Sequence, residues 1–142
     1  MRGLACAMAL ALAAGAAHAA VTATDAWVRG TVPVQKTTGA FVTLTSSAEA
    51  KLVAVSSPVA KSVEIHASEE KDGVMHMHAL DAVALPAGKR VEFKPGSFHI
   101  MLVGLKRALG AGEYVPLTLM IEEAGGKRTQ LEVRAVVRPL GQ

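Results

Sequence analysis

The stretch VEIHASEEKDGVMHMHAL, residues 63–80, has the pattern of a β-hairpin and indicates the class of the whole fold. Polar and apolar residues alternate along parts of both arms, and Asp72-Gly73 between them is a strong signal for a two-residue turn. The register set by that turn places Met77 opposite Ser68, and it places His66 diagonal to Met77 on the same face. The sequence therefore predicts two paired strands that carry histidine and methionine on one side.

The rest of the chain repeats this pattern of short strands separated by turn signals. No helical periodicity is found, and at most one turn of helix is expected near residues 105–111. We therefore predict a single all-β domain, a Greek-key β-barrel or sandwich, with Trp27, Phe41, Phe93 and Val133 in or near its core. The predicted strands cover residues 23–30 (as an edge strand), 40–46, 51–57, 62–67, 74–80, 90–94, 98–105, 114–122 and 129–137.

Residues 1–19 have the organisation of a secretory signal peptide. Arg2 is followed by an apolar run and by Ala17-His18-Ala19, which predicts cleavage after Ala19 and a mature domain of residues 20–142. A membrane anchor is a weaker interpretation because the apolar run is short. Acylation of Cys6 is also disfavoured, because this cysteine begins the apolar run instead of following it. We expect a soluble periplasmic protein without stable membrane insertion.

Composition excludes several classes of function. Cys6 is the only cysteine, so the mature domain has neither a disulfide nor a thiolate ligand. The formal net charge of the chain is only +3, and basic residues are not interleaved with aromatic ones, so no nucleic-acid binding is expected. No catalytic grouping is found either, and we predict that the protein is not an enzyme.

Histidine and methionine are concentrated in two windows of the mature chain. The first holds His66 and the run Met75-His76-Met77-His78, and the second holds His99 and Met101. His99 and Met101 are two positions apart on one predicted strand, so their side chains project from the same face. His76 and His78 project from the face opposite Met75 and Met77, and we interpret them as surface residues or auxiliary metal ligands.

The chemistry of these side chains favours monovalent copper. Thioethers are soft ligands that select Cu(I), whereas zinc prefers cysteine, histidine and carboxylate, and Ca²⁺ or Mg²⁺ needs oxygen ligands. Each residue alone is more commonly a core or surface residue, but together they favour a Cu(I) site. The candidate ligands are His66, Met77, His99 and Met101; the sequence leaves open whether the two windows meet.

The spacing H-x10-M-x21-H-x-M formed by these four residues resembles the signature of the periplasmic PCuAC copper chaperones. Residues 26–44, 56–66 and 94–106 are similar to that family too. The resemblance implies a cupredoxin-like barrel with a Cu(I) site, and it implies copper delivery to the CuA centre of cytochrome c oxidase or to a thiol-bearing assembly factor. The chain departs from the family at His66-Ala67-Ser68, where many members read H-E-M.

Two other copper functions are alternatives to copper delivery. A blue-copper electron carrier needs a cysteine thiolate, which the mature chain lacks. A periplasmic copper storage or resistance protein could use the same four ligands, so this alternative stays open.

Overall fold

The computed structural model describes residues 18–141. The charged and apolar parts of the predicted signal peptide, with Arg2 and Cys6, lie outside the described residues. Within the described range, no helix is long and apolar enough to cross a membrane.

Ten strands form one mixed sheet that folds around a single apolar core. In space they follow the order β5-β4-β8-β7-β2-β1-β10-β9-β3-β6, and β2 also pairs with β8. The all-β prediction is confirmed. The strands are β1 (Val21–Arg29), β2 (Thr37–Ser46), β3 (Ala50–Ser56), β4 (Ala60–Lys71), β5 (Val74–Leu80), β6 (Val83–Leu85), β7 (Arg90–Phe93), β8 (Phe98–Leu105), β9 (Tyr114–Glu123) and β10 (Arg128–Arg138).

The core is built by the alternation of apolar side chains along the strands. Strand β9 is the clearest case, because Val115, Leu117, Leu119 and Ile121 are buried while the residues between them are partly or fully exposed. Burying such side chains stabilises the fold by roughly 1.5–3 kcal/mol each relative to leaving them in water. The four aromatic or β-branched residues predicted for the core are all buried, as expected: Trp27, Phe41, Phe93 and Val133.

Strand β1 corrects one prediction, because it is an interior strand and not an edge. It pairs antiparallel with β2 and parallel with β10, where Trp27 lies opposite Val136. The first half of β1 has the polar residues typical of an edge strand, and Thr22 and Thr24 are exposed in the structure. A bulge follows them, with Asp25 at φ 54°. The parallel partner lies about a hundred residues along the chain, too far for a local pattern to predict. The three-residue β6 was also not predicted.

The β4–β5 hairpin has the predicted register. Lys71 pairs with Val74 and Ser68 with Met77, so the Asp72-Gly73 turn is two residues long. Both turn residues have positive φ (53° and 76°), which is the left-handed conformation that this tight turn requires. Strand β5 lies at one edge of the sheet, and all its residues are exposed except the half-buried Leu80.

The position of β4 between β5 and β8 brings the two His/Met windows together. Strand β4 pairs with β5 on one side and with β8 on the other, so its residues are shared by both pairings. Strand β8 also pairs with the first half of β2, which closes the other side of this region. The sheet order therefore determines where the candidate ligands meet.

Candidate metal centre

The centre of the candidate site is a pair of histidines on neighbouring strands. His66 on β4 lies directly opposite His99 on β8, and the centroids of their rings are 5.4 Å apart. Their side chains share a face of the sheet because directly opposed residues project to the same side. Two imidazoles that are far apart in sequence are thus placed side by side.

His66 is held by a carboxylate on its own strand. Its Nε2–H donates to Glu64 Oε2 over 2.7 Å, since the carboxylate can only accept. The proton on Nε2 leaves Nδ1 as the lone-pair nitrogen of the neutral ring. His66 Nδ1 is buried and has no hydrogen-bond partner among the described residues.

His99 is held by a backbone carbonyl. Its Nδ1–H donates to the oxygen of Ser97 over 3.1 Å, and the same oxygen accepts the backbone N–H of Ser68. His99 is only 5% exposed, and its Nε2 is buried and unpartnered within the described part of the chain. A ring N–H bonded to a carboxylate or carbonyl, with the other nitrogen free, is the usual arrangement of metal-binding histidines.

Two methionines lie next to these histidines. Met101 follows His99 by two residues on β8, and Met77 comes from the edge strand β5. Met77, His99 and Met101 line one cavity of about 120 Å³, which we call the His/Met cavity. Met101 is half-buried, whereas Met77 is 60% exposed, so the thioether of Met77 is the more accessible to solvent.

The opposite wall of the His/Met cavity comes from β1 and β2. Gly39, opposite Met101, lies so close to Phe41 that an added Cβ would stand 3.0 Å from the ring. Arg29 also lines the cavity, and its guanidinium carbon is 5.4 Å from the centroid of the Phe41 ring. These three residues shape the cavity, and none was predicted from the sequence as part of the site.

The donor set of this region depends on its thioethers. Among residues 18–141, no group of three or more His, Cys, Asp or Glu side chains lies close enough to hold a metal ion. Methionine sulfur is the further donor that the His/Met cavity offers beside the imidazoles, through Met77 and Met101. A larger cavity of about 480 Å³ lies elsewhere, and the ten residues that line it include no His or Met.

The structure places the histidines and methionines of the first window in two different locations. His66 and Met77 lie at the cavity or beside it, while Met75, His76 and His78 are exposed outside it. The hydrogen-bond partners of the two imidazoles, Glu64 and the Ser97 carbonyl, were not predicted from the sequence. Glu64 precedes His66 by two residues on one strand, a same-face signal that could have identified it. The Ser97 carbonyl carries no side-chain signal.

Fold and donor set together define a class: a small all-β protein whose clustered imidazoles and thioethers suit a soft monovalent metal. Residues 21–133 match the family described as "Putative lipoprotein LpqE-like", and the chain belongs to this family. A relative from Leifsonia xyli subsp. xyli, "Putative lipoprotein Lxx21020", is 30% identical over 115 residues, which cover 80% of this chain and 69% of that protein.

Solved structures with the same fold include copper proteins. The copper-bound PCuAC domain from PmoF2 matches with a TM-score of 0.69 at 23% identity, covering 84% of this chain and 92% of that domain. The solution structure of CuI-DR1885 from Deinococcus radiodurans matches with a TM-score of 0.62 at 31% identity. The match covers 80% of this chain and 74% of that chain. The expected PCuAC resemblance and cupredoxin-like fold are confirmed.

Proposed function

We propose that this protein is a periplasmic Cu(I) metallochaperone and not an enzyme, with His66, Met77, His99 and Met101 as its copper ligands. One observation carries the proposal: two imidazoles, each held by a hydrogen bond at one nitrogen, present unpartnered buried nitrogens beside a cavity lined by two thioethers. An unpaired buried polar atom is costly, so it suggests a missing partner. The likeness to the CuI form of DR1885 supports copper as that partner.

The donor set favours Cu(I) over other ions. Two imidazoles and two thioethers are neutral, so bound Cu(I) keeps a single positive charge that the cavity must accommodate beside Arg29. Thioether sulfur is a soft donor that selects Cu(I) over harder divalent ions. Without a thiolate, the site is also expected to bind less tightly than a cysteine site, which suits a carrier that must release its cargo.

Release can proceed by ligand exchange from the solvent side. Met77 is the exposed thioether on an edge strand, whereas His99 is nearly inaccessible. We propose that an incoming thiolate displaces Met77 first and the buried ligands afterwards, because Met77 is the most exposed of the four ligands. The copper ion then passes to the acceptor without becoming a free ion.

The proposed acceptor is the CuA subunit of cytochrome c oxidase or a thiol-bearing factor that assembles it. This destination follows from the PCuAC resemblance and from the thiolate preference of Cu(I). Storage or resistance is the competing role, and it would use the same ligands without a dedicated acceptor.

A transfer experiment tests delivery. The Cu(I)-loaded protein is mixed anaerobically with an apo CuA domain, the two are separated, and the copper content of each is measured. The account expects copper on the CuA domain, and it expects none on a matched domain whose ligand cysteines are replaced by serine. Copper retained by the donor would contradict delivery. In a deletion strain, normal oxidase activity at limiting copper together with copper sensitivity would instead indicate resistance.

A further inference from the structure

We propose a second metal site, for a divalent transition-metal ion such as Cu(II), on the face of the β4–β5 hairpin opposite Met77. Its ligands are the imidazoles of His76 and His78, with the carboxylate of Glu69 as the third. This site is separate from the proposed Cu(I) site, and its existence does not depend on copper delivery.

The register of the hairpin places the three side chains together. His76 and His78 are two positions apart on β5, so they project from one face with Cα atoms roughly 6.6 Å apart. Glu69 on β4 lies directly opposite His76, and Ala67 lies opposite His78. The small Ala67 leaves room beside the two imidazoles for an ion.

The three side chains are accessible and able to reorient. His76, His78 and Glu69 are all exposed, and β5 is the outermost strand of the sheet, so no other strand within residues 18–141 covers its free edge. They do not form a ready-made metal cluster, as noted for the whole described range. A metal ion would therefore bring them together by rotation of exposed side chains, and the site should bind more weakly than a preorganised one.

Ligand chemistry distinguishes this site from the His/Met cavity. Two nitrogens and a carboxylate oxygen suit borderline divalent ions, and Cu(II) heads the affinity order for such ligands. The hairpin tip is also acidic, because Glu69, Glu70 and Asp72 outnumber Lys71. Negative charge at the tip attracts a divalent ion.

The two proposed sites share strand β5 but use side chains on its opposite faces. Met77 stands between His76 and His78 in sequence, yet its side chain projects to the other face. Removing the two exposed imidazoles should therefore leave the cavity ligands in place, which makes the sites separable by mutation.

The experiment titrates the untagged chain, without its predicted signal peptide, with Cu(II) sulfate in a non-coordinating buffer. Binding is followed by calorimetry, and by electron paramagnetic resonance for nitrogen ligation. We expect one Cu(II) equivalent with nitrogen ligands, at least tenfold weaker in a His76→Ala/His78→Ala variant whose circular dichroism is unchanged. Glu69→Gln should cause a smaller loss.

The reciprocal control is His99→Ala, which should keep the Cu(II) equivalent while losing Cu(I). Cu(II) binding that is absent from the wild type, or equal in the His76→Ala/His78→Ala variant, would overturn the second site. A parallel Cu(I) titration reports on the cavity independently, so failure of the second site and failure of the chaperone proposal give different results.

Discussion

The two long hairpins of this molecule use the same secondary structure for different purposes. In the β9–β10 hairpin, alternate side chains of β9 are fully buried and form one wall of the core. In the β4–β5 hairpin, β5 buries almost nothing, although it is paired along its whole length with β4. One hairpin supports the fold, and the other displays side chains at its edge.

This difference separates stability from chemistry. Side chains that bury little area contribute little to the free energy of unfolding, so the residues of β5 are free to be chosen for what they bind. The thioethers and imidazoles of β5 lie in the part of the molecule where the fold needs them least. Mutations in the two hairpins should therefore affect different measurements.

The largest expected effect is on stability, from Leu119→Ala in β9. Leu119 is fully buried, so its truncation should lower the free energy of unfolding by about 2–5 kcal/mol through lost burial and the cavity left behind. Urea denaturation measures the loss. The Cu(I) affinity of the folded variant should stay at the wild-type value, and a loss below about 1 kcal/mol would contradict the assignment of β9 to the core.

Gly39→Ala should affect both measurements. The new methyl group would stand 3.0 Å from the Phe41 ring, so the ring must shift toward the His/Met cavity or the backbone must move. Overpacking of this kind costs about 1–3 kcal/mol of stability, and Cu(I) affinity should fall with it. Denaturation and a chelator competition assay check the two parts. Wild-type affinity in a destabilised variant would show that the position of the Phe41 ring does not affect copper binding.

Met77→Ala should change copper affinity and leave stability nearly constant. Its exposed side chain contributes little to the core, so unfolding should shift by no more than about 0.5 kcal/mol. Loss of one thioether should weaken Cu(I) binding about tenfold, or ~1.4 kcal/mol. Met75→Ala is the matched control, because Met75 is 52% exposed on the same face of β5 but does not line the cavity. Equal effects of the two variants would exclude Met77 as a ligand.

The smallest expected effect concerns pH and the β9–β10 hairpin. Hydrogen bonds from Arg128 and Lys51 hold the pKa of Glu122 below its ordinary value of 4.5. The unfolded chain therefore takes up this proton first, so the stabilisation is complete above pH 4.5 and is lost as pH falls through the lowered folded value. Glu122→Gln should flatten the acid side of the stability profile measured by denaturation. An unchanged profile would contradict this contribution and show that solvent screens the ion pairs of the half-buried Glu122.

Local features of the fold could be predicted from the sequence, and long-range ones could not. The Asp72-Gly73 turn fixed the hairpin register correctly, because turn geometry and side-chain alternation act over a few residues. The interior position of β1 depends on its parallel pairing with β10, and no local pattern reports such a partner.

The candidate site also combines local features, which could be predicted from the sequence, with long-range contacts, which could not. Alternation predicted that His99 and Met101 share a face, but the contact between His66 and His99 depends on the pairing of β4 with β8. The cavity wall formed by Arg29 and Phe41 comes from still more distant strands. Residue chemistry could indicate the candidate ligands, whereas only the sheet order could show what surrounds them.

The most direct test of the central claim is an anaerobic Cu(I) titration in competition with a chromophoric chelator. It compares the wild type with His99→Ala, and it uses His78→Ala as the exposed histidine control. The account predicts one tightly bound equivalent in the wild type and in His78→Ala, and its loss in His99→Ala. Absence of binding to the wild type, or equal binding by all three proteins, would contradict a copper site between β4, β5 and β8.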